Sequence, residues 1–144
     1  MRSFNSHHAD KASSKLRSVV RKVNRIEGKV SDTQSWLGAE AYEHEAKELR
    51  DDLDQRHKEI ENIWTQNIQP WYEEGLINEA DYWDLVKRKN EALQHIEKAR
   101  DVAAERGKTR VESLQSWLGR VSSVLSSLVT VISAGMKVKR QLTS

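Results

Sequence analysis

Residues 110–140 read RVESLQSWLGRVSSVLSSLVTVISAGMKVKR, and this stretch decides the fold. Val111, Leu114, Leu118, Val121, Leu125, Leu128, Ile132 and Gly135 follow one another at alternating three- and four-residue steps. That spacing places them on one face of a helix, as the seam of a helix–helix contact. Trp117, Val124, Val131 and Val138 lie beside the seam and widen it. The far side holds Ser116, Ser122, Ser123, Ser126, Ser127, Thr130 and Ser133. From Val121 to Met136 there is no charged residue, in a chain that is 32% charged.

A solvated helix back normally carries Lys and Glu. Small hydroxyls instead suit close approach by another helix, because they bond back to the preceding turn. The first expectation is a buried bundle helix. The sharper one is a surface for self-association or a protein partner, built from Trp117, Val121, Ser123, Val124, Leu125, Ser126, Leu128 and Ile132. A third reading is a membrane-active bundle, in which this helix and its basic end (Lys137, Lys139, Arg140) engage anionic lipid.

Working outward, the other long segments are charged amphipaths that need an apolar partner. Leu16, Val19, Val23, Ile26 and Val30 keep the seam spacing and predict a helix from about Asp10 to Val30. Its remaining faces carry Lys15, Arg17, Arg21, Lys22, Arg25 and Lys29. This basic face has two readings: a solvated face countered by an acidic neighbour, or a phosphate-binding face for nucleic-acid packaging. Residues 31–38, SDTQSWLG, predict a joint with cap-type residues and a terminating Gly38. A second helix follows from Ala39 to Ile68, along Ala39, Tyr42, Ala46, Leu49, Leu53, Ile60 and Ile63, with Arg56 and Asn67 as polar seam positions. Between Glu40 and Glu61 it carries nine Asp/Glu against four Lys/Arg, so it pairs naturally with the basic helix.

Pro70 interrupts this run, and Pro70 to Gly75 predicts one helical turn closed by the glycine. Asn78, three residues before Asp81, predicts the cap of a helix from Glu79 to Gly107. Thr109 and Glu112 cap the last helix. Trp64, Trp71, Tyr72, Tyr82 and Trp83 gather around Pro70, either as a plug at the bundle end or as a recognition patch. The expected fold is therefore all-α: a four-helix antiparallel bundle, or two packed αα-hairpins with coiled-coil-like seams. The 1–144 chain makes one domain, with a loose tail at 1–8, a first hairpin at 9–68, a joint at 69–78 and a second hairpin at 79–140.

Composition narrows the function classes. The 144 residues include no Cys, one Pro and six Gly, which excludes disulfides and leaves little room for a turn-rich β fold. The N-terminal stretch lacks the apolar segment of a signal peptide, no window reaches a full membrane span, and a cytoplasmic location is the default expectation. Net charge is +2, distributed as +6 over residues 1–30, −9 over 31–106 and +5 over 107–144. His44, His57 and His95 are preceded at three residues by Ala41, Asp54 and Ala92, so the Glu-x-x-His pattern of di-metal bundles is absent. No phosphate-cradling glycine loop or Gly-flanked nucleophilic Ser occurs. The sequence thus predicts no enzyme, cofactor or metal, but a structural, assembly or adaptor protein that forms a homo-oligomer or binds a protein partner. Binding of anionic membrane or nucleic acid through the basic ends is the alternative.

Two local resemblances accompany these readings. Trp36-Leu37-Gly38, followed by Ala39, Ala41 and Tyr42, resembles the Trp-x-Gly turn of the small helical hairpins exported by type VII secretion. That family's Tyr-x-x-x-Asp/Glu export signal is absent, since Ala46 lies four residues after Tyr42. Gly75–Leu93, GLINEADYWDLVKRKNEAL, resembles the helix-turn-helix of short bacterial oligomerisation segments, also common in phage tail proteins.

Overall fold

The computed structural model describes the backbone of residues 2–32, 39–104 and 110–143, and the side chains of 11–30, 44–104 and 112–132. Helices α1 (Arg2–Asp32), α2 (Ala39–Ile63), α4 (Glu79–Ala103) and α5 (Arg110–Thr143) are long; α3 (Gln69–Glu73) is a short piece of the joint. No strand occurs among the described residues. Of the joint expected at 31–38, Ser31 and Asp32 instead continue α1, while 33–38, with Trp36 and Gly38, and 105–109, with Gly107 and the Thr109 cap, lie outside the described residues.

The long helices close into a ring in which α1 packs on α2 and α5, and α4 packs on α2 and α5. Cross-helix contacts fix the directions. Lys15 and Lys22 of α1 meet Asn67 and Glu59, so α1 and the α2 segment run antiparallel. Asp54 meets Arg100 and His57 meets Glu97. Arg88 meets Ser127, and Asn24 meets Ser122. The topology is up-down-up-down, with α1 and α5 forming one wall and α2 and α4 the opposite one. Because α1 packs most extensively on α5, the molecule is a four-helix bundle rather than two separately closed hairpins.

The core follows the seam spacing. Leu16, Val19, Val23, Ile26 and Val30 of α1 are buried, as are Leu114, Leu118, Val121, Leu125, Leu128 and Ile132 of α5. From the other wall come Leu53, Ile60 and Ile63, with Leu85, Leu93 and Ile96. Burying such a side chain contributes about 1.5–3 kcal/mol, which is why three charged amphipaths fold around the apolar stripe of α5.

Several element bounds differ from the sequence reading: α4 ends at Ala103 rather than Gly107 and α5 runs on to Thr143 rather than 140, and two differences lie nearer the N-terminus. Helical backbone begins at Arg2 rather than near Asp10, so residues 2–8 continue α1 instead of forming a tail. No Pro or Gly precedes Gly28, and nothing local stops the helix from propagating toward the N-terminus. Nor does Pro70 end the second helix. α2 passes into a π-helical turn at Trp64–Ile68 and then directly into α3, with Pro70 in the first turn of α3. A proline ring clashes with the carbonyl four residues back, and a widened turn ahead of Pro70 relieves that clash. The Gln69 N–H bonds to the Trp64 carbonyl, the five-residue reach of a π turn.

The chain reverses five residues after Pro70. Gly75 has φ +75° and closes α3. Its N–H donates to Tyr72 O at 2.9 Å while Leu76 N–H donates to Trp71 O at 3.1 Å, a Schellman closure. Asn78 then caps α4, its Oδ1 accepting from the Asp81 N–H at 2.8 Å, as the sequence predicts. With Ile68, Trp71 and Ile77 all buried, this connection is a packed bundle end.

Candidate interaction surface

The expected interaction residues of α5 divide into two sets. Val121, Leu125, Leu128 and Ile132 are fully buried against the other helices, so within the folded bundle they are core and offer nothing to a partner. Ser123 and Ser126 are exposed, together with Ser116 and Thr130. Trp117 and Val124 are half-buried at the edge of the core. Trp117 lies 5.3 Å from the His95 ring, and the Arg120 guanidinium sits 4.4 Å above its indole. The serine back is therefore not packed inside the bundle: it forms an outward, water-facing ridge. Ser122 and Ser127 at its flanks are tied to the neighbouring helices, Ser122 donating to Asn24 Oδ1 at 2.9 Å and Ser127 accepting from Arg88. Thr130 donates back to the Ser126 carbonyl at 3.1 Å.

The basic face of α1 also divides. Lys22 pairs with Glu59 at 3.2 Å, and Lys15 donates to the buried Asn67 Oδ1 at 3.3 Å. Both turn toward the acidic α2, as the pairing of basic and acidic helices predicts. Glu59 also accepts Arg56 at 2.8 Å, and Arg56 bridges to Asp52 at 3.0 Å. This chain of charges lets Arg56 occupy a seam position with a side chain only 12% exposed. Lys29 lines a crevice with Glu45, Glu48 and Asp52. Arg17, Arg21 and Arg25 are exposed on the other side of α1, and among the described residues none of the three forms an ion pair.

Between that arginine side and α5 runs a groove of about 400 Å³, lined by Arg17, Val20, Arg21, Ser126, Val129 and Thr130. The seam reading does not find it. Val20 and Val129 each follow a seam residue directly, and such doubled aliphatic positions (Val19-Val20, Leu128-Val129) are the signal that marks it.

At the joint the aromatics also separate. Trp64 and Trp71 are buried, and their indole N–H groups find no acceptor among the described residues. Lys89 Nζ lies 5.4 Å from the Trp64 ring centroid. Tyr72 is half-buried and stacks on Tyr82 with centroids 4.0 Å apart. Burial raises the Tyr82 pKa, and Tyr72 and Glu73 raise it further. Trp83 meets Tyr82 edge-on at 5.3 Å and stands 55% exposed, alone among the large hydrophobics described. The cluster is thus a plug with one exposed member.

The three described histidines sit beside single carboxylates or between two. His44 is 3.2 Å from Glu48, His95 is 3.6 Å from Glu91, and His57 lies 3.7 Å from Glu61 and 3.6 Å from Glu97. Among the described residues no group of three or more His, Asp or Glu is placed to hold a metal ion. No helix among them is long and apolar enough to cross a membrane. No protein-family model, curated protein or solved structure matches the chain.

Proposed function

We propose that this four-helix bundle is a non-enzymatic assembly subunit that associates with further copies, or with a protein partner, through the outward ridge of α5 and the groove beside it. One observation carries the reading: Ser116, Ser123, Ser126 and Thr130 face water, while residues 121–132 of the same helix carry no charge. A ridge of short hydroxyl side chains loses little side-chain entropy on contact and lets another backbone come close. The exposed positions of α1, α2 and α4 are by contrast rich in Lys, Arg, Asp and Glu. Unpaired Arg17 and Arg21 at the rim give the surface a positive border suited to an acidic partner.

The test is solution mass at high micromolar concentration and two salt concentrations. Contacts among exposed charges fade beyond a Debye length of about 8 Å at physiological salt, whereas contact along an uncharged ridge persists. Association is expected to weaken with salt without vanishing. Ser123→Glu, at the crest of the ridge, is expected to disrupt it more than Lys22→Glu, which faces α2. A strict monomer under all conditions, with no captured partner, overturns the reading.

A further inference from the structure

We infer that the partner seated in the α1–α5 groove is a second copy of this chain, inserting the corner built around Trp83. The inference rests on the assembly reading above and adds the occupant and its contact residues. Trp83 is the one large apolar side chain that the described structure leaves mostly exposed. It is not loose, because it lies against Tyr82, which is stacked on Tyr72 over the buried joint. A rigid aromatic anchor of this kind is the usual centre of a protein interface.

The surroundings of Trp83 state what it fits. From Glu59 to Val86 the chain has seven carboxylates and no Lys or Arg, and the exposed Lys87 follows one turn beyond Trp83. Glu79 stands one turn before Trp83 on α4, Asp84 beside it pairs with Arg88 at 3.1 Å, and Glu73 and Glu74 end the preceding turn. A tryptophan among carboxylates calls for an apolar floor with a guanidinium rim, where arginines stack on the indole and pair with the acids. The groove offers that set. Val20 and Val129 supply the floor, Ser126 and Thr130 the hydroxyls, and Arg17 and Arg21 the rim. The two arginines lie four residues apart on one helix, where like charges repel, and an acidic visitor relieves that repulsion.

Corner and groove are different surfaces on one molecule, so each copy carries one of each. This gives a complementation test by sedimentation velocity in low salt. Trp83→Ala removes the corner and leaves the groove; the double variant Arg17→Glu, Arg21→Glu removes the groove and leaves the corner. Each alone is expected to be monomeric with unchanged far-UV circular dichroism, its association weakened by about 30-fold or more, the scale of losing a hot-spot residue. An equimolar mixture restores one intact contact and is expected to sediment as a species of twice the monomer mass. A mixture that stays monomeric, or either variant associating like the native chain, overturns the inference. Dispersal by Ser123→Glu but not by Trp83→Ala leaves the α5 ridge as the contact and removes the Trp83 corner. A native chain that is monomeric throughout removes both.

Discussion

The α1–α5 wall and the α2–α4 wall face each other across one core, yet different chemistry holds each. Across α1 and α5 the buried side chains are aliphatic apart from Ser13, and the described polar tie is the 2.9 Å Asn24–Ser122 hydrogen bond at the surface. Across α2 and α4 the contact carries Arg100–Asp54 at 3.3 Å and His57–Glu97 at 3.6 Å, and several buried α4 positions are small: Ala92, Ala99 and Ala103. Where apolar burial binds two helices, their outer faces are released from ion pairing. The α1–α5 wall exposes Arg17, Arg21 and Arg25, with no ion pair among the described residues, beside an uncharged ridge. The α2–α4 wall adds half-exposed polar contacts at its surface to an apolar core of its own.

The sharpest way to break this comparison is to hollow out the aliphatic wall. Leu128→Ala is expected to cost about 2–5 kcal/mol, as large-to-small changes in a packed core do, measured by urea denaturation. A cost near that of a surface change would show that α5 is not the principal core element. Gly75 tests the joint that links α2 to α4. Its φ is +75° and an added Cβ meets nothing within 4 Å, so Gly75→Ala exposes backbone strain alone, about 1–2 kcal/mol. No loss of stability on the same measurement would mean that the reversal is made elsewhere.

On the polar wall, Arg100→Ala is expected to cost under about 1 kcal/mol, because both partners of its ion pair are about half exposed. An effect equal to that of Leu128→Ala would invert the comparison. The smallest expected effect is a pH dependence at the bundle end. Tyr82 has a raised pKa, from burial first and then from Tyr72 and Glu73, so folding favours its neutral phenol. That contribution is complete below the ordinary tyrosine value of about 10 and is lost as pH rises through the folded value. In an alkaline absorbance titration part of the phenol signal should appear later than an ordinary tyrosine, and Tyr82→Phe should remove that late part.

How much of this was legible in the residues depends on the range of the interaction. The helical class, the buried positions of α5, the Asn78 cap and the Gly75 closure follow from spacing and local backbone chemistry, which act within a turn or two. The pairing of basic α1 with acidic α2 also followed, since Lys22 and Glu59 stand at matching heights along antiparallel helices. The passage of the helix through Pro70 did not follow. Local rules penalise that proline, while burial of Trp64, Ile68 and Trp71 on one continuous path favours keeping the helix.

Periodicity is a property of each helix alone, so the residues suffice to place four amphipathic helices around one apolar centre. Only the tertiary structure decided that α1 and α5 are neighbours, that the serine face of α5 looks outward, and that Trp83 is exposed while Trp64 and Trp71 are not. A seam says which side of a helix is buried, but the width of the buried arc and the identity of each flank depend on which helices stand beside it. Val20 and Val129 show this most directly, for they become a groove only because the first and last helices of the chain close the ring.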